Sequence, residues 1–260
     1  GRFLKERKER IYVATKCGRQ IQPHVNEGYT VPVLRKNVED SLRRLQTDCI
    51  DLIQLHCPPT PVYYRPEIFG LFDDLKKEGK ILHLGVSVEK VEEALKAIEY
   101  DNVATVQIIF NMFRQRPSAL FFREAKQKNI GVIVRVPLAS GLLTGQYSSG
   151  TRFETGDHRF FNREGASFDK GETFSGVEYA TGLAAVEALK EIFPADLAAA
   201  ALQWVLHFDA VSTVIPGASR PEQIIRNMAA MDRVALTESE MEKVKAVYEK
   251  YIKPSVHHLW

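Results

Sequence analysis

Ile50-Asp51-Leu52-Ile53-Gln54-Leu55-His56 has the short, mostly apolar run of a buried strand and ends in an imidazole. Upstream, Ile11-Tyr12-Val13-Ala14-Thr15-Lys16 is a second run of this kind and ends in an amine. Strands over 11–15 and 50–55 put Lys16 and His56 at the carboxyl ends of two successive strands. Catalytic groups of α/β barrels stand there. The chain is therefore read as an enzyme.

Beyond these two runs, short apolar runs alternate with longer segments of helical period, the pattern of a parallel sheet covered by helices. Further strands are expected at 81–86, 104–109, 130–134 and 211–215. Helices are expected at 33–46, 66–78, 89–99, 117–128, 196–207, 221–231 and 238–250. Pro117 suits a first helical turn, and Thr237-Glu238-Ser239-Glu240 suits a capping box. Six strands cannot close a barrel of eight, and a six-stranded arc leaves two edges unpaired. Either two strands precede Gly1, or the sheet is open, or another chain completes it. We expect one domain over 1–260, with the Gly-, Ser-, Thr- and charge-rich stretch 144–176 as a long loop insertion.

The 260 residues are 45% hydrophobic and 26% charged, an ordinary globular composition. A net charge of +2 offers no strong field for nucleic acid or an anionic membrane, so a small-molecule substrate is expected. Cys17, Cys49 and Cys57 lack the spacing of a metal site, and no apolar run has the character of a leader or span. The expectation is a cytoplasmic protein with reduced thiols and no metal. Cys17 and Cys57 directly follow Lys16 and His56, which invites a redox role, against which stands the frequency of small buried thiols in cores.

Several motifs together resemble the aldo-keto reductase family, NADPH-dependent (β/α)8 TIM-barrel oxidoreductases of the α/β class. Ala14-Thr15-Lys16 is similar to its strand-three lysine segment. Ser41-Leu42-Arg43-Arg44-Leu45 through Asp48 to His56 is similar to its strand-four histidine segment. Leu84-Gly85-Val86-Ser87, Val106-Gln107 with Asn111, Pro137 to Leu143, and Ile215 to Arg220 with Gln223 and Asn227 follow in the family's order. On this resemblance the chain carries the family's strands three to eight. A tyrosine and an aspartate that act with the lysine and histidine would then precede Gly1.

The resemblance implies catalytic roles for Lys16 and His56. The lysine would be the ammonium that favours ionisation of a tyrosine acid, and the histidine would orient the substrate carbonyl. Without the family, Lys16 reads equally as a strand-end lysine and His56 as a satisfied core histidine. Tyr12 lies roughly 13 Å from Lys16 at about 3.3 Å per residue, too far to share its proton. Tyr63 and Tyr64 could reach the rim, as acids or as substrate-pocket walls. Ser87, Gln107 and Asn111 are the expected carboxamide ligands, and Arg135 the cover on the nicotinamide ring. Leu138, Ser140, Gly141 and Leu142 would form the pyrophosphate loop. Ser219 and Arg220 would hold the 2′-phosphate of NADP (NADPH) in the cofactor-binding segment that Gly217 opens, where the family commonly has a lysine, with Gln223 and Asn227 on the adenine. His24, Tyr29, Tyr63, Tyr64, the 144–176 stretch and the tail from Val256 to Trp260 are expected to shape the substrate pocket.

Three activities fit. The leading one is reduction of an aldehyde or ketone by NADPH. The others are an NADP-binding regulatory or sensor protein of the same fold and a phosphate-handling barrel enzyme without redox chemistry.

Overall fold

The computed structural model describes residues 1–232 and 234–260. The chain divides into two compact units, Gly1–Gln107 with Glu124–Gly131, and Ile108–Arg123 with Val132–Trp260.

The first unit runs α1 (Arg2–Glu6), β1 (Ala14–Cys17), α2 (Val31–Leu45), β2 (Ile50–His56), α3 (Pro66–Lys77), β3 (Ile81–Ser87), α4 (Val91–Ala97) and β4 (Val103–Ile109), whose last two residues belong to the second unit. Strands β1 to β4 pair in parallel in chain order. β2 presents buried residues on both faces, Ile50 and Gln54 on one and Asp51, Ile53 and Leu55 on the other, as a covered parallel strand requires. α2 buries Leu34, Val38 and Leu42 at helical spacing and ends at Gln46 in the left-handed region. α3 opens on Pro66 at its first position and buries Ile68, Phe69, Leu71, Phe72 and Leu75.

β1 is shorter at its start than 11–15 and reaches Cys17. The Val13 amide donates to the Asp51 carboxylate (2.8 Å), and Arg10 also pairs with Asp51, so this stretch is tied to a side chain before the ladder begins. Tyr12 is 79% exposed and outside any strand.

α5 (Phe121–Gln127) spans the boundary between the units. The expected helix 117–128 is broken. Pro117 sits in a separate 3₁₀ turn, Arg116–Ser118, closed by the Ser118 hydroxyl donating to the Gln115 carbonyl (2.7 Å). The second unit continues with β5 (Gly131–Arg135), α6 (His158–Phe161), α7 (Tyr179–Ile192), α8 (Leu197–Leu206), β6 (Val211–Ile215), α9 (Pro221–Ala229), α10 (Glu238–Val247) and α11 (Lys253–Val256). β5 and β6 pair in parallel. Its aromatic core gathers around Phe110, whose ring centroid lies 4.7 Å from Phe122, 4.8 Å from Trp204 and 4.9 Å from Phe208. α7 was not expected, although Gly182, Ala185, Val186 and Leu189 are buried at helical spacing.

The 144–176 stretch has little regular structure yet is well packed. Asn162 is fully buried, and its side-chain oxygen Oδ1 accepts from the backbone amides of Ser167 and Phe168 (2.9 Å each). The Arg163 guanidinium lies 5.0 Å from the Tyr179 ring centroid, 5.8 Å from Phe174 and 5.9 Å from Phe153. Asp157 accepts from the Arg159 side chain and backbone (2.9 Å each), chiefly the side-chain bond holding its pKa down at about 2. A depressed carboxylate stabilises the fold above its unfolded pKa, and that contribution vanishes as pH falls through the folded value. The stability gap between wild type and Asp157→Asn is therefore expected to be full above pH ~4 and to close towards pH ~2. Denaturant unfolding across that range, with a gap that stays constant, would refute this.

Candidate active site

In parallel strands, residues in register lie side by side on one face. Lys16 is in register with Gln54, Gln54 with Gly85, and Gly85 with Thr105. One level towards the carboxyl ends on the same face, His56 is in register with Ser87 and Ser87 with Gln107. The first unit thus brings Lys16, His56, Ser87 and Gln107 onto one face at the carboxyl ends of four neighbouring strands. Lys16 and His56 both line a cavity of about 780 Å³, together with Thr15, Gly18, Arg19 and Asn37.

Gln54 links the two levels and was not anticipated. It is 2% exposed, and its amide oxygen accepts from Gln107 Nε2 (3.3 Å). Gly85 makes room for it. A Cβ there would stand 2.2 Å from Thr105 Oγ1 and 3.1 Å from Gln54 Cγ. The signal was present as an amide inside an apolar strand, two residues before the histidine.

Around Ser87 the partners are buried. The Cys57 amide donates to the Ser87 carbonyl (2.8 Å), Tyr63 Oη donates to that same oxygen (3.3 Å), and Cys57 Sγ lies 3.5 Å from Ser87 Oγ. Tyr63 is fully buried and its pKa is pushed up by burial, so it is not a rim residue, whereas Tyr64 is 63% exposed with the Lys96 ammonium over its ring. Glu93, 4% exposed, accepts from the Glu89 and Lys90 amides and from Thr60 Oγ1, joining the loop after β2 to the loop after β3. Burial pushes the Cys17 thiol up to about 12, which disfavours the thiolate a redox role requires.

His24 and Tyr29, expected to face substrate, are engaged with each other. Tyr29 is fully buried, its hydroxyl 3.3 Å from His24 Nδ1, and His24 Nε2 lies 3.1 Å from the Cys57 carbonyl oxygen.

The second unit holds the remaining candidates in two groups. Asn111 is fully buried. Its Nδ2 donates to the Val136 carbonyl (2.9 Å), and its Oδ1 accepts from the Phe113 amide (2.8 Å) and the Ser175 hydroxyl (3.3 Å). Its amide thereby holds neighbouring loops together. Arg135 Nη1 pairs with Glu172 (3.3 Å), and the Ser140 hydroxyl donates to the Glu172 carbonyl (2.8 Å). Ala139, Ser140 and Gly141 are in succession left-handed (φ +48°, +56°, +96°). Leu138 packs towards Ala199, Leu202 and Ala230, and Leu142 is 1% exposed, so both leucine side chains serve the core. In the other group, Gly217, Ser219 and Arg220 are exposed ahead of α9. Gln223 Oε1 accepts there from the Ser219 amide (2.6 Å), the Ser219 hydroxyl (3.2 Å) and the Arg220 amide (3.1 Å). Asn227 follows one turn later on α9, partly buried.

Among the described residues, parallel strands alternate with helices in each unit, and an amine and an imidazole stand at neighbouring strand ends of the first, the arrangement of a TIM-barrel type of α/β enzyme. The sequence matches the Aldo/keto reductase family over residues 1–249, and the chain belongs to that family. It is 28% identical over 255 residues to the aldo-keto reductase yakc [NADP(+)] of Schizosaccharomyces pombe, covering 94% of this chain and 72% of that protein. It is 24% identical over 246 residues to the NADH-specific methylglyoxal reductase of Escherichia coli, covering 86% and 71%. Among solved structures it resembles the holo form of aldo-keto reductase AKR11C1 from Bacillus halodurans, with a TM-score of 0.74 and 25% identity over 98% of this chain and 78% of that one. The family match begins at residue 1 and lends no support to the expectation of two strands ahead of Gly1. The protein is an oxidoreductase that transfers a hydride between a nicotinamide cofactor and a carbonyl. No helix among the described residues is long and apolar enough to cross a membrane.

Proposed function

We propose that the chain is an NADPH-dependent reductase of aldehydes or ketones in which Lys16 and His56 are the reactive side chains. The observation that carries this reading is the shared face of Lys16, His56, Ser87 and Gln107. The nicotinamide supplies the hydride. On the growing negative charge of the carbonyl oxygen the Lys16 ammonium would act as compensating charge, and the resulting alkoxide would take its proton from solvent through the cavity that Lys16 and His56 line. His56, one level nearer the rim, hydrogen-bonds the same oxygen and orients it. Ser87 and Gln107 fit the carboxamide chemically, since a hydroxyl and an amide each offer donors and acceptors. Arg135 is assigned to the ring, Leu138, Ser140, Gly141 and Leu142 to the pyrophosphate through their backbone, and Asn111 to support of the loops around it. The barrel is read as one domain with 144–176 as its insertion. Three free cysteines suit a reducing compartment, and we place the protein in the cytoplasm.

The preference for NADP rests on the start of α9. Three donors from Ser219 and Arg220 converge on one oxygen of Gln223, an arrangement suited to an oxygen of the 2′-phosphate, and the Arg220 guanidinium adds a fork of donors. Gln223 and Asn227 would then face the adenine. The NADP(+) in the name of the Schizosaccharomyces pombe relative supports this, although the Escherichia coli relative is named NADH-specific. Arg220→Ala is expected to weaken NADPH binding by about tenfold or more while leaving NADH within about twofold. Fluorescence titration with both cofactors checks it, and an equal loss for the two would remove the 2′-phosphate role. The activity is tested by following NADPH fluorescence during incubation with an aldehyde such as nitrobenzaldehyde. Saturable cofactor binding with no turnover on a panel of aldehydes and ketones would favour the sensor reading.

A further inference from the structure

We propose that His24 and Tyr29 form a bracket that sets the spacing of Lys16 and His56, with His24 positioning His56 through the carbonyl of Cys57. The inference builds on the reading of Lys16 and His56 as the reactive pair. His24 Nε2 lies 3.1 Å from the Cys57 carbonyl oxygen, which can only accept, so the ring is protonated on Nε2. Nδ1 of the neutral ring is then an acceptor for the Tyr29 hydroxyl at 3.3 Å. Burial is the main influence lowering the His24 pKa, consistent with the neutral form.

Cys57 is the residue directly after His56. It is in the left-handed region (φ +45°), a conformation unfavourable for a residue with a Cβ unless its surroundings enforce it. Both ends of its main chain are held, the amide by the Ser87 carbonyl and the carbonyl oxygen by His24. Releasing the carbonyl leaves Cys57 held by its amide alone, so the turn directly after His56 loses one of its two ties.

The other arm of the bracket reaches β1. Gly18, two residues after Lys16, has φ +100°, and a Cβ on it would stand 2.7 Å from Tyr29 Cε1. The Tyr29 ring therefore lies against the chain leaving Lys16 while its hydroxyl meets His24. Tyr29 is fixed in turn by Arg65, whose Nη1 donates to the Tyr29 carbonyl (2.8 Å) and the Asn26 carbonyl (3.0 Å). The loops after β1 and β2 are thus joined two residues beyond Lys16 and one residue beyond His56.

The test uses the whole 260-residue chain with His24→Leu, His24→Gln and Tyr29→Phe, the glutamine keeping a donor near the position of Nε2. Imidazole ¹⁵N spectra of the cofactor-free protein should show His24 as the Nε2-protonated tautomer, and the His56 ring signals should move in His24→Leu. In turnover, His24→Leu should lower kcat about tenfold with the cofactor KM within about twofold, because small displacements of a reacting group cost rate rather than cofactor binding. His24→Gln should recover most of that loss, and Tyr29→Phe should fall between the two. Unchanged His56 signals and kcat in both His24→Leu and Tyr29→Phe would overturn the proposal. So would a loss in His24→Leu that glutamine fails to restore and that follows melting temperature. Should His56→Gln leave kcat intact while the His56 signals still respond to His24→Leu, the reading of the reactive pair fails and the bracket stands.

Discussion

Lys16→Met is expected to lower kcat for carbonyl reduction by about 10²- to 10³-fold, with the cofactor dissociation constant changed by no more than about threefold. Methionine keeps the length and apolar stem of the side chain but removes the ammonium beside the developing alkoxide. In a site walled by protein a fixed charge has far more leverage than in water, and the loss corresponds to about 3–4 kcal/mol of transition-state stabilisation. The lysine is on the edge of the first unit's sheet, beside the cavity rather than inside the core, so folding should survive the change. Single-turnover reduction separates the chemical step from cofactor release. A rate for Lys16→Met within about threefold of wild type in that step would reduce Lys16 to a strand-end lysine and with it the central role given to this residue. His56→Gln should reduce the same step by a smaller factor, since glutamine can still donate to the carbonyl.

The second large effect concerns the fold. Phe110→Ala is expected to destabilise the protein by about 3–5 kcal/mol, the range for removing a fully buried ring and leaving a cavity. Phe110, the residue directly after β4, is fully buried and touches Phe122, Trp204 and Phe208. Three large rings cannot easily collapse into the vacated space, which puts the cost at the upper end of that range. The melting temperature should fall by about 10 °C for a chain of this size. Thermal unfolding by circular dichroism measures it. A fall of only a few degrees would mean that Phe208, a ring on the short connection after α8, swings into the gap.

How far the sequence carried depended on the range of the interaction being read. Local periodicity was enough for β2 to β5, because parallel strands with two covered faces form short apolar runs, and polar or titratable residues in or beside such runs are conspicuous. Lys16 and His56 were legible for that reason. Gln54 was equally conspicuous and obeys the same alternation as His56, but its purpose depends on Gly85 and Gln107, which only strand pairing brings near. α7 is masked in the sequence although its buried positions have helical spacing, because Gly182 stands where a helix-former is expected and makes room for Leu142. The split at Pro117 turned on a hydroxyl closing a 3₁₀ turn, an event that composition does not foreshadow. Loop residues were hardest. His24, Tyr29 and Tyr63 resembled wall residues of a pocket in sequence, while the fold uses all three to fasten main chain behind the site.

The register of β2 has an implication for how such a site can change over evolutionary time. A single inserted residue ahead of Ile53 would turn the amide and the imidazole to the opposite face and bring Ile53 and Leu55 in, erasing the chemistry at a stroke. An exchange at one rung leaves every other rung in place. New specificities in this scaffold are therefore reached by substituting side chains at fixed addresses or rebuilding the connecting loops, and a strand that slides by one step has no functional intermediate to pass through.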